Sequence, residues 1–394
     1  MSYIVAFNRN RDSYQVPLAL AESGMLTRLV TDYYYGRSIP RLASLGHRRV
    51  EGIPAAAVRD APKAFAAQVL TLAASKVGVS LRHPIDTIEA SIASVALREA
   101  RRSDADLFMY SGYAYESFSA LPDRKKLLFK FHPDGDFIRA CLNDDDLLSS
   151  GSWMPEPEEA GTLRRAGQHA RELELADRIL CASSFTKSGL VRMGIAPDRI
   201  VVVPYGCPEP AEPAVVAEAR REGECKILFV GQGVRRKGLH LLLEAWGQLR
   251  PKNARLRIIA SRIDPAIGAM ASNLSSVDLS GPTTREQIVS EMLSADTLVL
   301  PSLVEGFGLV IGEALSAGCR IIASTHTGLP DLGLPAEIAT VVPAGRIEEL
   351  VDSLRTAIET FAPGGLRARE ATAAAKQRSW AAYRKGIREF AAAS

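Results

Sequence analysis

The chain has 394 residues, 47% of them apolar and 24% charged, with a net charge of +3. This is the composition of a soluble globular protein rather than a disordered, collagen-like or membrane-spanning one. The length exceeds what one core organises, so two domains of roughly 200 residues are expected, and no apolar run approaches the ~18 residues of a transmembrane helix. Cys141, Cys181, Cys207, Cys225 and Cys319 are scattered and form no Cys-x-x-Cys pair, which points to a reducing compartment. The charge is uneven: residues 1–103 hold 14 Lys/Arg against 8 Asp/Glu, and the segment from Gly364 holds seven Lys/Arg against Glu370 and Glu389. An anionic partner surface and a plain solvated basic face explain that asymmetry equally well.

Tyr3 to Phe7 reads as a strand, and the start lacks the basic and apolar regions of a signal peptide, so a cytoplasmic location is expected. A loop over Asn8 to Ser13, a helix over 14–22 and a strand over 29–33 follow. Tyr33-Tyr34-Tyr35 with Arg37, Arg41, His47, Arg48 and Arg49 is an aromatic and basic cluster, suited to sugars, phosphates or lipid head groups. The stretch 62–79 is helical and poor in charge, so a packed helix and a helix lying on a membrane both fit it. A helix closes at Arg102, and strands cover 106–110 and 126–131 with a loop from Ser111 to Ala114 between them. The second of these ends in His132-Pro-Asp-Gly-Asp136, which holds a histidine on a rigid strand end. Asp134, Asp136 and Asp144 to Asp146 raise a metal reading, but acidic loop runs of this kind are usually solvated and no metal is expected. A charged helix over 163–176, a strand over 178–182, a helix over 187–193 stopped by Gly194 and a strand over 200–203 complete this half. Three prolines between Cys207 and Pro213 mark a stiff linker without structure of its own.

The second half opens with a strand over 226–230, then Gly231-Gln-Gly-Val-Arg235-Arg236-Lys237-Gly238, then a helix over 239–249. A strand, a glycine loop with three consecutive cations and a helix start form a site for pyrophosphate, a solvated basic turn being the plain alternative. A strand over 256–260, a loop over 280–284 and a helix over 285–293 follow. Thr297 to Leu300 is a short apolar strand closed by Pro301. Glu305-Gly-Phe-Gly308 is a loop whose glycines let backbone approach a ligand, and a helix runs from Leu309 to a stop at Gly318. A loop at the carboxyl end of a parallel strand leading into a helix N-terminus is where such sheets bind anions. With Glu305 in the loop and Glu313 one to two turns inside the helix, hydroxyls can meet each carboxylate and phosphates the amides between them, the layout of a sugar nucleotide. Strands over 320–324 and 339–342, and a loop carrying Gly328 and Asp331, precede the terminal helices.

Pro301-Ser-x-x-Glu305-Gly-Phe-Gly-Leu-x-x-x-Glu313-Ala-x-Ser-x-Gly318 resembles the signature of the retaining family-four glycosyltransferases. The run from Ala176 through Cys181-Ala-Ser-Ser184 to Pro204-Tyr-Gly206 is similar to the same family. The resemblance is continuous from about Arg171 and faint before His132. It implies an α/β GT-B fold: two Rossmann-like doubly wound domains facing a central cleft, with a C-terminal helix returning to the N-terminal domain on Trp380, Tyr383 and Phe390. Residues 1–206 would bind the acceptor, 207–224 would link, 225–375 would bind the nucleotide sugar and 376–394 would return. The implied donor is a UDP- or GDP-sugar, with no further cofactor and no metal. It would be held by Arg235, Arg236, Lys237, Gly281, Thr283, Gly306, Phe307, Gly308, Leu309 and Glu313, while Lys237, Glu305 and His132 act at the reacting bond. Asn10, Arg11 and Ser13 would line the acceptor side, although the Gly-Gly pair many relatives carry there is missing. Gln232 also stands where the family has an arginine, which leaves Arg235 or Arg236 to take its role. The expected partners are a nucleotide sugar, a glycan or lipid-linked oligosaccharide acceptor in surface polysaccharide or lipopolysaccharide synthesis, and an anionic membrane surface at its inner face, but no nucleic acid. A small soluble acceptor, a silent nucleotide-sugar-binding subunit, and an epimerase or phosphorylase remain as alternatives.

Overall fold

The computed structural model describes residues 1–36, 46–77, 79, 84–143, 167–220, 224–361 and 366–393. Strands β1 (Tyr3–Ala6), β2 (Leu26–Thr31), β3 (Val58–Asp60), β4 (Asp106–Tyr110), β5 (Lys126–Lys130), β6 (Arg178–Cys181) and β7 (Ile200–Val202) form one parallel sheet in the order β3-β2-β1-β4-β5-β6-β7. Strands β8 (Cys225–Gln232), β9 (Ala254–Ser261), β10 (Val277–Ser280), β11 (Thr297–Leu300), β12 (Arg320–Ser324) and β13 (Ala339–Val342) form the second, in the order β10-β9-β8-β11-β12-β13. Both are doubly wound, so each has a crevice where the winding reverses: between β1 and β4, and between β8 and β11. The central strands β5 and β11 are buried along their whole length, as parallel strands covered by helices on both faces must be.

The last helix, Trp380–Ala392, leaves the second lobe and packs on the first. The Tyr3 hydroxyl donates to the Ala391 carbonyl at 2.8 Å, Phe390 packs against Phe108 with ring centroids 5.6 Å apart, and Arg384 and Arg388 both pair with Glu22. The chain therefore crosses between lobes twice, and the crossings run side by side. The Cys207 amide donates to Arg378, and the Trp380 amide donates back to Cys207.

Four sequence readings change. The strand predicted over 29–33 is Leu26–Thr31, and Tyr33 lies beyond it, buried and stacked on Phe65 at 5.0 Å. The three-residue β3 and the helix Pro265–Ser272 carry too little pattern to be read, although the latter has a cap, Asp264 accepting from the Ala266 amide at 3.0 Å. The linker is not without structure: Pro213–Ala219 is a helix with Pro213 in its first turn, where a missing N–H costs nothing. The aromatic and basic cluster is largely internal. Tyr33, Tyr34 and Arg48 are buried, and Arg48 pairs with the fully buried Asp32. His47 and Arg49 are exposed, whereas Arg37 and Arg41 lie outside the described residues.

Candidate active site

The carboxyl ends of both sheets face one another across a cleft of about 1050 Å³. Its second-lobe wall comes from the switch point between β8 and β11. After β8 the chain turns through Arg235–Lys237 to Gly238, whose φ of 68° starts the helix Leu239–Leu249. A Cβ on Gly238 would sit 2.0 Å from the Pro301 carbonyl, so glycine is what lets this loop lie against the end of β11. The Leu303 and Val304 amides donate to the Arg236 carbonyl at 2.9 and 3.2 Å and fasten the two loops together.

That packing brings Lys237 onto Glu305 as an ion pair within the cleft. Glu305 is 8% exposed and Arg236 5%. Burial alone would raise the Glu305 pKa, but Lys237, then Arg236, and more weakly His132 from the facing lobe outweigh it and bring the carboxyl down to about 2. Glu305 is therefore ionised at neutral pH and can accept hydrogen bonds but not act as an acid. Arg236 donates to the Val304 carbonyl at 3.2 Å and to Gln232 at 3.4 Å. The departure at Gln232 thus orients the neighbouring cation. Arg235 donates to the Leu142 carbonyl of the first lobe at 2.6 Å, so of the two arginines it is Arg236 that lines the cleft.

Gly308, with φ of 89°, caps the helix Leu309–Ser316, whose first turn opens on the cleft through Leu309 and Val310. The first amides of a helix have no intrahelical acceptor and suit an anion. Glu313 lines the cleft one turn further on; burial raises its pKa, and Arg285 at 3.7 Å opposes this. The Phe307 ring is buried against Tyr205 at 5.3 Å, which leaves its backbone at the cleft. Gly281 and Thr283 do not line the cleft. Thr283 bonds Gln287 at the start of the helix Arg285–Ser294 instead.

The first lobe supplies the opposite wall. His132 follows β5, its Nδ1 3.3 Å from the Pro133 carbonyl. A Cβ on Gly306 would lie 2.2 Å from the Phe131 carbonyl, so the Glu305 loop rests directly on the His132 loop. Ser183, the cap of the helix Ser184–Arg192, holds this contact by donating to the Gly306 carbonyl at 2.5 Å, and the Ser184 amide donates to Asp331 at 2.9 Å. Asn10 and Arg11 line the cleft, with the Arg11 guanidinium 3.8 Å above the Phe131 ring, but Ser13 is exposed outside it.

Sequence reasoning missed Lys130, Asp12 and Glu172. Lys130 is buried in the cleft wall and pairs with Asp134 at 2.9 Å; a lysine inside an apolar strand was the available signal. Asp12 lies in a turn where Arg9, Asp12, Ser13 and Tyr14 all have positive φ, a concentration of backbone strain that favours functional sites. It accepts from the Tyr110 hydroxyl at 2.6 Å, and burial raises its pKa to about 7 against the lowering effects of Tyr110, Gln15 and Arg11. Glu172 is fully buried and accepts from the Gly112, Ala114 and Tyr115 amides at 2.9, 2.9 and 3.1 Å, fixing the loop after β4. Among the described residues no group of three or more His, Cys, Asp or Glu side chains is placed to hold a metal ion. Asp136 pairs with Arg139, and Asp144 to Asp146 lie outside the described residues.

Residues 212–377, which contain Lys237, Glu305 and Glu313, match the family described as glycosyl transferases group 1. The likeness to the group 1 glycosyltransferases thus lies in the second lobe and the segment leading into it. It is 30% identical over 200 residues to a D-inositol 3-phosphate glycosyltransferase of Pseudarthrobacter chlorophenolicus, covering 46% of each chain. It is 31% identical over 186 residues to an O-antigen chain mannosyltransferase B of Escherichia coli, covering 42% of this chain and 49% of the relative. These matches span about half the length of the curated relatives. The sucrose-phosphate synthase of Thermosynechococcus elongatus shares the fold over 100% of both chains, with a TM-score of 0.68 at 17% identity. The group 1 match thus contains the Lys237–Glu305 pair, whereas Asp12, Lys130 and His132 come from the lobe outside it.

Proposed function

We propose that the protein moves a sugar from a nucleoside-diphosphate donor to a glycan acceptor, with retention of configuration and without a metal ion or other cofactor. The observation that carries this reading is the Lys237–Glu305 pair at the β8/β11 crevice, beside a helix N-terminus and facing His132. As the bond between the anomeric carbon and the diphosphate oxygen breaks, charge grows on the departing phosphate. Lys237, Arg236 and the amides that open the helix Leu309–Ser316 are already in place to take it. Removing one such fixed donor typically slows a reaction by about 10²–10³-fold. Glu305 would accept from the hydroxyls of the transferred sugar, Glu313 from those of the nucleoside, and His132 would orient the sugar from the other lobe. In the retaining step the acceptor oxygen bonds to the anomeric carbon on the face the phosphate leaves, and the acceptor proton passes to that phosphate. The O-antigen relative supports a role in surface polysaccharide synthesis. Gln232 accepts from Arg236 at 3.4 Å, which supports an active enzyme over a silent subunit.

The test is a panel of UDP- and GDP-sugars read by thermal shift and by release of free nucleotide. One donor should raise the melting temperature, since a ligand at 100 times its dissociation constant adds about 2.7 kcal/mol. Its hydrolysis or transfer should persist in EDTA. Glu313→Ala should lose the shift, and Lys237→Ala should lose turnover. Nucleotide binding with no release from any donor would sink the transferase reading, and loss of turnover in EDTA would sink the metal-free step.

A further inference from the structure

The first-lobe wall of the cleft carries Arg9, Arg11 and Lys130. Lys130 is matched by Asp134 at 2.9 Å. Among the described residues no ion pair joins Arg9 or Arg11 to a carboxylate. Arg9 donates to the Gln68 side-chain oxygen at 3.0 Å, while Arg11 lies over the Phe131 ring and beside the Tyr113 hydroxyl, its buried Nε donating to no described group. The other acids of this wall are engaged elsewhere. Glu89 faces His169 at 3.8 Å, and Asp12 accepts from Tyr110, with a pKa raised to about 7 by burial that leaves it only part of its charge at neutral pH. The wall therefore holds a surplus of positive charge.

The backbone is strained to present it. Arg9, Asp12, Ser13 and Tyr14 have φ of 63°, 42°, 51° and 61°, a left-handed region that glycine enters freely and other residues rarely hold. The turn is fixed from outside, the Arg9 amide donating to Asp32 at 2.8 Å and the Thr31 hydroxyl to the Arg9 carbonyl at 3.3 Å. Strain held in this way points to a role for the side chains it displays. A guanidinium stacked on a ring is already oriented, and its planar fork matches two oxygens of a phosphate or carboxylate. In the proposed reaction the donor diphosphate has its own cations, Lys237 and Arg236, on the opposite wall.

We propose that Arg11, with Arg9 two residues before it, binds an acidic group of the acceptor, so that the acceptor is an anionic saccharide bearing a phosphate or a carboxylate. The anion site stands on the two arginines; its assignment to the acceptor rests on the transferase reading.

Two measurements test this. In the first, the full chain is labelled with the arginine reagent phenylglyoxal, with and without UDP or GDP to fill the diphosphate site, and Arg9 and Arg11 are followed by peptide mass spectrometry. Methyl phosphate or acetate should slow the labelling of Arg11 by at least about threefold, because a charge-assisted fork excludes the reagent, and methyl glucoside should not. Whichever anion protects better separates phosphate from carboxylate. Protection by the nucleotide alone would overturn the proposal by assigning Arg11 to the diphosphate. In the second, transfer from the donor identified by the nucleotide-sugar panel is compared across glucose, mannose and galactose, each beside its phosphate monoester and its uronic acid. One acidic acceptor should exceed its neutral parent at least about tenfold in kcat/KM, the scale of a lost charge-assisted pair. That ratio should fall toward one in Arg11→Gln and be partly kept in Arg11→Lys; Arg9→Gln, at an exposed position, serves if Arg11→Gln melts early. Equal use of neutral and acidic acceptors, or a ratio that survives in both variants, would overturn the proposal. Protection of Arg11 by an anion without turnover of any donor overturns the transferase reading and leaves the anion site, whereas donor turnover with no protection by either anion overturns the site alone.

Discussion

Replacing Lys237 with methionine keeps most of the side-chain volume and removes the charge nearest Glu305. The pair is well shielded, with side chains 16% and 10% exposed, so solvent screens it little. The Glu305 pKa falls from 4.5 to about 2 despite burial, and at about 1.4 kcal/mol per unit that corresponds to about 3 kcal/mol of stabilisation. Breaking a buried pair from one side costs about 3–5 kcal/mol, and the charge of Arg236 remains, so a loss of about 2–4 kcal/mol is expected near pH 7. Because the carboxyl pKa is depressed, its contribution is fully present above the unfolded value of 4.5 and is lost as pH falls toward about 2. The penalty should therefore shrink at about pH 3. The assay is urea unfolding followed by the fluorescence of Trp246, which is buried in the same lobe. Glu305→Gln added to Lys237→Met should recover part of the loss, as the coupling in a double-mutant cycle. A penalty below about 0.5 kcal/mol at pH 7, or one of equal size at both pH values, would refute the reasoning.

Asp12 predicts the opposite pH dependence. Its pKa rises from 3.8 to about 7, so the folded protein holds a proton the unfolded chain has released, and stability falls as pH rises through that window. Asp12→Asn keeps an acceptor for Tyr110 and should be more stable than the wild type by about 2–4 kcal/mol at about pH 8 but not at about pH 4; thermal melts at the two pH values check this. Glu172→Gln leaves the Gly112, Ala114 and Tyr115 amides with one carboxamide oxygen in place of two carboxylate oxygens and should cost about 1–3 kcal/mol, with faster hydrogen exchange at residues 112–115. Gly306→Ala places a methyl group against the Phe131 carbonyl and should cost about 1–3 kcal/mol of lobe contact. Exchange should rise at Ser183 to Thr186 while nucleotide affinity stays within a few-fold; unchanged protection would show that the loops do not need to touch.

The second lobe was the more legible half because its chemistry lies in short contiguous runs. Strands β11, β12 and β13 and the helix Leu239–Leu249 have their predicted ends, and Lys237, Glu305 and Glu313 meet in one cleft because two adjacent strand-to-helix turns carry them. In the first lobe the wall is assembled from residues far apart in the chain, so Asp12, Lys130 and Glu172 show no common spacing. Arg235 and Arg236 could not be told apart in the sequence, because which of two neighbouring arginines points inward depends on the turn Arg235–Lys237 and on the acceptors at Val304 and Leu142. The helix Pro62–Lys76 is a related case: its low charge fits a packed helix and a surface helix alike, and only its placement on the first lobe shows Val69, Leu70 and Leu72 exposed.

The returning helix sets an order of events during synthesis. Tyr3 and Phe108, in the middle of the first sheet, are covered by Phe390 and Ala391, so the first lobe waits for a segment made after the second. Until residue 391 clears the ribosome, that sheet keeps an apolar flank open while the second lobe is already complete enough to fold. A nascent chain stalled within the final helix would be a natural client for chaperones, and cutting off residues 380–392 would injure the lobe at the other end of the sequence.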